Sequence, residues 1–230
     1  MKSTVASLLL GWCVVFAPVH VRAQVGPSTT EAARYTGLHA AAYKGDVAAL
    51  RQLLAGKPDL NARDGHGRTP LHVATFARQR EAIRLLAQAG ANLNLLENDR
   101  YDAVTIASVA DDEETLRLLL SLGASAKLVT SRYDGTALIA AAHLGHDGVV
   151  RQLIAAGAPL DHVNNLHWTA VIEAIVLGDG GRRHQATLKA LIDAKADLQL
   201  KDRQGNTPLQ LARSRGYAEM VKLLEAAGAR

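Results

Sequence analysis

One alanine recurs along the chain at a nearly constant spacing, and this period limits the folds that the sequence can adopt. The alanines are Ala41, Ala74, Ala107, Ala141, Ala174 and Ala212, at intervals of 33, 33, 34, 33 and 38 residues. An apolar residue stands three positions before each of them: Leu38, Leu71, Val104, Leu138, Val171 and Leu209. A unit of this size cannot bury its own apolar face. The period therefore predicts a solenoid of stacked repeats that share one continuous core.

Each repeat combines a turn with two helices. Residues 64–74 read Asp-Gly-His-Gly-Arg-Thr-Pro-Leu-His-Val-Ala, and residues 202–212 have the same Asp, Gly and Thr-Pro-Leu pattern. Glycine and aspartate are typical of tight turns, and proline suits the first position of a helix, where its missing N–H would have no partner. A second helix follows, with apolar residues at helical spacing. In four copies it ends at a capping glycine followed by alanine: Gly90-Ala91, Gly123-Ala124, Gly157-Ala158 and Gly228-Ala229.

This pattern resembles the ankyrin repeat, with its Thr-Pro-Leu-His-x-Ala start and a period near 33 residues. The resemblance covers residues 31–230 and implies an all-α solenoid of about six helix–turn–helix repeats joined by β-hairpin-like loops. Two kinds of departure stand out: Asp102-Ala103 replaces Thr-Pro in the third copy, and Lys57 and Lys195 stand where a capping glycine is expected. We expect those units to be locally less stable. The approximate repeats are 31–63, 64–96, 97–129, 130–163, 164–200 and 201–230.

The first 23 residues follow a different plan, that of a secretory signal peptide. Lys2 gives a positive start, residues 5–16 are almost wholly apolar, and Val21-Arg22-Ala23 precedes a cleavage site expected before Gln24. The apolar stretch is shorter than the ~20 residues that span a bilayer, so we expect no stable membrane insertion after cleavage. Cys13 leaves a lipid-attachment site as the alternative. Residues 24–30, rich in Gly, Pro, Ser and Thr, predict a linker, and the export signal predicts a periplasmic protein.

Charge and cysteine content narrow the possible partners. The formal charge of +4 falls to +2 without residues 1–23, because they hold two basic residues and no acidic one. Charges of both signs are interspersed along the repeats, so we expect no nucleic-acid partner, which would require a concentrated basic face. Cys13 is the sole cysteine, which excludes disulfides from the exported part. We expect the protein to be a monomer.

The resemblance implies that a partner protein binds along the concave groove, which hairpin tips and first helices form. Residues 24–230 contain only seven aromatic residues, and six lie on or beside groove positions in the repeat register. Aromatic side chains often anchor protein interfaces, so these six predict a binding surface. The alternative is that they only cap the hairpins and pack on neighbouring loops. The six residues are Tyr35, Tyr43, Phe76, Tyr101, Tyr133 and Trp168.

Polar residues are expected to complete this surface. Arg68, Asp102 and His143 occupy neighbouring register positions and are predicted to orient the partner. In the fifth copy, the longer interval predicts a flexible basic insertion at residues 178–183, with Arg182 and Arg183 available for binding. A tolerated loop without function is the alternative there, because lengthening a loop costs little.

Catalysis is not expected from this sequence. It contains no nucleophile elbow, phosphate-cradling glycine loop or His-Glu-x-x-His motif. His39 and His72 match the family's motif histidine, and the resemblance implies capping hydrogen bonds for them. His143 and His146 stand three apart, but no third ligand is fixed by spacing. We therefore expect no metal site and no cofactor.

The sequence thus predicts a non-catalytic scaffold that binds another protein in the periplasm. By resemblance to exported bacterial ankyrin proteins, it is expected to be an accessory factor for an envelope enzyme, such as an antioxidant one. The main alternative is an inhibitor or immunity protein that occludes a toxic enzyme. An enzyme and a purely structural spacer are the remaining hypotheses.

Overall fold

Residues 24–230, which the computed structural model describes, form a succession of helix pairs in two layers. The elements are α1 (Thr29–Ala33), α2 (Gly37–Lys44), α3 (Val47–Ala55), α4 (Pro70–Phe76), α5 (Arg80–Gln88), α6 (Ala103–Val109), α7 (Glu113–Ser121), β1 (Val129–Thr130), β2 (Gly135–Thr136), α8 (Ala137–His143), α9 (Asp147–Ala155), α10 (Ala170–Val176), α11 (Arg182–Asp193), α12 (Pro208–Ser214) and α13 (Ala218–Ala226). Each first helix contacts the first helix of the next repeat, and each second helix contacts the next second helix. The predicted helical solenoid is confirmed, while the predicted signal peptide at residues 1–23 lies outside the described residues.

The repeating alanines and their apolar partners form the core between the layers. All six alanines and all six residues three positions before them are buried. Leucines of the second helices, such as Leu50, Leu119 and Leu153, complete it and are fully buried. A methyl side chain at the alanine positions lets the first helix of each repeat lie close to its neighbours. The spacing seen in the sequence is therefore the spacing of the core.

The first helices begin at capped turns. The side chains of Thr69, Thr136, Thr169 and Thr207 accept hydrogen bonds from a backbone N–H in the first turn of their helices. Asp102 performs the same task for α6. His72 has its Nε2 3.0 Å from the Leu95 carbonyl oxygen and its Nδ1 3.1 Å from the Thr69 nitrogen, which is the capping role expected for it. The fourth copy also forms a short antiparallel ladder that pairs Thr130 with Gly135.

The second helices end in a left-handed residue, as the Gly-Ala pattern predicts. The four capping glycines have positive φ, and so do Lys57 (φ 51°) and Lys195 (φ 70°), the two residues that replace glycine. Ala196 still donates its N–H to the Leu191 carbonyl, which is the hydrogen bond that closes such a helix end. Pro58 has no N–H to donate after Lys57. Of the two helix ends at which lysine replaces glycine, the end of α3 therefore lacks a closing hydrogen bond that the end of α11 has.

Two boundaries differ from the expectation. The predicted linker 24–30 is wrong at its end, because residues 29 and 30 belong to α1. Ser28 and Glu31 form a reciprocal capping box that starts this helix, since each side chain accepts the other residue's backbone N–H. The predicted flexible insertion is wrong at Arg182 and Arg183, which are the first two residues of α11, with Gly181 as its N-cap. Within the described part of the chain, no helix has the length and apolarity that crossing a bilayer requires.

Candidate binding groove

A cavity of about 190 Å³ lies on the concave side, where α6, α8 and α10 meet the turns that precede them. Four residues predicted to bind a partner line this cavity: Tyr101, Tyr133, His143 and Trp168. They come from three successive repeats, so stacking brings together residues that are far apart in sequence. We call this space the groove cavity.

The turns hold the aromatic side chains at the cavity in a fixed way. Tyr101 precedes the N-cap of α6. Its backbone carbonyl accepts a hydrogen bond from the Glu97 backbone N–H, and its own N–H donates to the Glu97 carboxylate. Trp168 precedes the N-cap of α10 and makes the same pair of bonds with Asn164. Burial raises the pKa of the Tyr101 hydroxyl. Both aromatic rings are thus presented from rigid turns.

A buried carboxylate lies among the residues that line the cavity. Glu173, on α10, is only 5% exposed. Its Oε1 accepts a hydrogen bond from Asn164 Nδ2 at 2.9 Å, and its Oε2 lies 3.4 Å from His143 Nδ1. Asn164 Oδ1 also accepts from the backbone N–H groups of Leu166 and Trp168 at 3.0 Å. One amide side chain thus links the carboxylate to the turn that carries the tryptophan.

Tyr35, Tyr43 and Phe76 lie toward the first repeat, away from the groove cavity. The Tyr35 hydroxyl donates to Asp64 Oδ2 at 2.7 Å, and burial raises its pKa. Its ring centroid lies 6.2 Å from that of Tyr43, in an edge-to-face arrangement. Phe76 packs against the backbone of Gly26, where a Cβ atom would lie 3.1 Å from its ring. These three rings are half-buried against the protein itself.

Arg68 is not available to orient a partner, and this prediction is wrong. The residue is 2% exposed, its Nη2 donates to Glu31 Oε1 at 2.8 Å, and its Nε lies 3.1 Å from Asp64 Oδ2. A guanidinium needs carboxylate partners when it is removed from water. Helix α1 supplies one of them, so Arg68 fastens this helix to the second repeat.

Asp102 is also wrongly predicted as a partner contact. It is 1% exposed and caps α6, with Oδ1 accepting from the Thr105 backbone N–H at 2.9 Å and from the Thr105 hydroxyl. Burial raises the pKa of its carboxyl group. Aspartate here replaces the threonine cap of the other repeats, which explains the departure from Thr-Pro.

The two arginines of the fifth repeat are exposed at the start of α11. Arg183 Nη2 lies 2.9 Å from Asp111 Oδ2, and its Nε lies 3.4 Å from Asp147 Oδ1. The guanidinium therefore bridges the α6–α7 turn and the start of α9, which belong to the two preceding repeats. Binding of a partner by Arg182 and Arg183 stays a prediction.

Sequence reasoning missed two contributors to the groove. Glu173 could have been recognised from the sequence, because the equivalent position is apolar in the other five copies: Ala40, Val73, Ile106, Ala140 and Leu211. The second is the leading segment, residues 24–28, which runs from α1 over Phe76 and ends with Gln24 in the groove cavity. Its composition predicts only irregular chain, so no sequence pattern indicated this path.

Metal-ligating side chains do not gather in this part of the molecule. Within residues 24–230, no three His, Cys, Asp or Glu side chains come together in an arrangement that could hold an ion. The expectations of no metal and no cofactor stay predictions.

Comparison with known proteins agrees with this architecture. A family model described as ankyrin repeats (3 copies) matches residues 4–97 and 104–202, and a single ankyrin-repeat model matches 204–230. An Escherichia coli (strain K12) protein described as putative ankyrin repeat protein YahD is 42% identical over 100 residues, which are 43% of this chain and 50% of that protein. This chain therefore spans about half the length of that curated relative.

Two solved structures cover most of the described chain. A crystal structure of an ankyrin repeat domain from Acinetobacter baumannii AYE is 45% identical, with a TM-score of 0.80, over 84% of this chain and 98% of that chain. A chain in the structure of a predatory endopeptidase from Bdellovibrio bacteriovorus in complex with immunity protein Bd3460 is 26% identical, with a TM-score of 0.69, over 84% and 98% respectively. Ankyrin repeats mediate protein–protein interaction, and their proteins are in general non-catalytic binding scaffolds.

Proposed function

Because this chain belongs to the ankyrin repeat family, we propose that it is a non-catalytic adaptor that binds a partner protein along its concave groove. The observation that carries this proposal is the groove cavity, where Tyr101, Tyr133 and Trp168 from successive repeats surround one concave space. Clustered aromatic residues in a concave, partly desolvated site are the usual anchors of protein interfaces. The partner's anchoring side chains would enter this cavity.

The leading segment supports a polypeptide as the occupant of the groove. It lies in the groove as an irregular stretch of main chain, with Gly26 on Phe76 and Gln24 among the cavity residues. The groove is thus wide enough for main chain and supplies contacts to it across several repeats. A partner segment could follow the same path.

The proposed place of action is the periplasm, and the proposed role is that of an accessory factor for an envelope enzyme. The support for this place of action is the signal-like sequence of residues 1–23. We take the protein to act as a monomer.

A capture experiment tests the proposal. Envelope extract is passed over the tagged protein, over Tyr101→Ala/Trp168→Ala, and over a control, Arg151→Ala/Lys189→Ala, which changes two exposed residues on the outer helices α9 and α11. We expect one protein to be retained by wild type and control and lost with the groove variant, while all three keep the same melting temperature. Identical retention by the groove variant would place binding elsewhere, and no retained protein with any of the three would favour a spacer role.

An inhibitor or immunity protein is a second candidate, and one observation favours it. The Bdellovibrio structure with the similar chain contains an endopeptidase in complex with an immunity protein. The two candidates differ in what happens to a captured enzyme. An inhibitor abolishes its activity at a one-to-one ratio, whereas an accessory factor maintains or raises that activity.

A further inference from the structure

The groove cavity has an unusual distribution of charge. Of the residues of 24–230 that line it, Glu173 is the single acidic one, and none is lysine or arginine. His143 is the one histidine among these residues. The other lining residues are aromatic, aliphatic or uncharged polar ones, and the aliphatic residues include Ile139, Leu166 and Leu177.

A carboxylate in such surroundings needs a compensating group. An ionised carboxylate has about four lone-pair positions, and burial makes unfilled ones costly. Glu173 receives a hydrogen bond from Asn164 at Oε1, while His143 Nδ1 stands at 3.4 Å from Oε2, longer than a good hydrogen bond. The core of the repeat does not require this acid, because the same position is apolar in the other five copies. The carboxylate therefore faces the cavity with capacity to accept a further donor.

The aromatic residues complement such a donor when it is positively charged. The faces of tryptophan and tyrosine rings attract ammonium and guanidinium groups, and the attraction grows when water is excluded. Tyr101, Tyr133 and Trp168 provide these faces, and the aliphatic wall can pack the methylene stem of a long side chain.

We propose that the groove cavity is a binding site for one lysine or arginine side chain of an extended segment of the partner protein, with Glu173 as its counter-ion. This inference rests on the proposed function and specifies the chemistry of the partner. The charged group sits against the carboxylate, and its stem lies between the aromatic residues.

The present occupant of the cavity agrees with this assignment. Gln24 places its Nε2 donor in the buried part of the cavity, and among residues 24–230 this atom has no hydrogen-bond partner. A neutral amide at the end of a short side chain thus occupies the cavity without satisfying its donor. A longer, charged side chain would displace this amide from the cavity and interact directly with the Glu173 carboxylate.

The test uses the fluorescence of Trp168. In a full-length chain carrying Trp12→Phe, Trp168 is the sole tryptophan and reports on the cavity directly. The probes are capped five-residue peptides, identical except for a central lysine, arginine, norleucine or glutamate. We expect a saturable response to lysine or arginine and binding roughly tenfold or more weaker for norleucine, which has a stem of similar length without charge. Equal binding of norleucine, or no response to either basic peptide at any soluble concentration, overturns the proposal.

Variants separate the counter-ion from the fold. Glu173→Gln keeps the size of the side chain and an oxygen for the Asn164 bond, so its melting temperature should stay near that of the parent protein. We expect it to lose roughly tenfold in affinity for the basic peptides, while Glu225→Gln, which removes an exposed acid of α13, loses none. Unchanged affinity in a folded Glu173→Gln overturns the inference.

Failure of this inference is distinguishable from failure of the proposed function. A captured partner that depends on Tyr101 and Trp168 but not on Glu173 would leave the adaptor role standing and remove the cation site. A partner that is indifferent to all three residues would remove both.

Discussion

Tyr35 and Trp168 occupy the same position of their repeats, four copies apart, yet they have different surroundings. Tyr35 donates its hydroxyl hydrogen to Asp64 and packs edge-to-face with Tyr43, beside the buried Arg68. Trp168 lines an open cavity whose buried acid, Glu173, has capacity for a further donor. In the amino-terminal half of the groove the acidic and basic side chains pair with one another. In the carboxyl-terminal half they face the cavity. An aromatic residue in the groove register is therefore a binding candidate only where its polar neighbours are not already paired.

The largest effect expected from this comparison concerns Arg68. Arg68→Met should lower the free energy of unfolding by about 2–3 kcal/mol, because it leaves Glu31 and Asp64 without their buried partner. Equilibrium urea unfolding measures this. Arg132→Met is the control in the other half, since its side chain is exposed in its ion pair with Asp99, and it should stay within about 0.5 kcal/mol of wild type. Equal effects of the two substitutions would contradict a structural role specific to Arg68.

The tyrosine hydroxyls give a finer test of the same contrast. Tyr35→Phe should lower the free energy of unfolding by about 1 kcal/mol, since it removes the 2.7 Å bond to Asp64. Tyr101→Phe should change it by less than about 0.5 kcal/mol, because Tyr101 is held through its backbone bonds with Glu97. Thermal or urea unfolding of both variants decides the matter. A larger loss at Tyr101 would reverse the assignment of the two halves.

The smallest effect concerns pH. The Ser28 backbone N–H donates to the Glu31 carboxylate, and Arg68 adds its charge, which lowers the pKa of Glu31 from 4.5 to about 2. As the pH falls, the Glu31 carboxylate therefore takes up a proton in the unfolded chain before it does so in the folded chain. Glu31 thus stabilises the fold fully above pH 4.5, and this contribution is lost as the pH falls toward 2. Solvent screening at a partly exposed site keeps the contribution below about 1 kcal/mol.

Glu31→Gln should flatten the acid limb of the stability curve in that window. Glu81→Gln, on the outer helix α5, controls for the loss of one negative charge. Stability is measured by urea unfolding at a series of pH values. A Glu31→Gln curve that is parallel to wild type down to pH 2 would show that the contact of α1 with the second repeat does not depend on this carboxylate.

The period and register in the sequence predicted the solenoid and assigned Tyr101, Tyr133, His143 and Trp168 to the groove, and the structure brings these four residues around one cavity. The prediction that Arg68 and Asp102 contact a partner was wrong, because the repeat register gives the direction in which a side chain points but not which other residues cover it. Glu31, which pairs with Arg68, lies 37 residues away on α1, a helix without a counterpart in the other repeats. The fold of the leading segment was equally inaccessible, because a stretch of Gly, Pro and Ser has no periodicity that indicates where it packs. Glu173 could have been found by comparing the copies with one another.

The leading segment has a kinetic and thermodynamic consequence for any partner. Residues 24–28 are tethered to α1, so they compete for the groove at an effective concentration that short linkers hold in the millimolar range. A partner's apparent association constant is its intrinsic association constant multiplied by the fraction of molecules whose groove is open. Changes in the few residues ahead of Thr29 can therefore tune binding over a wide range while every side chain of the repeats stays the same.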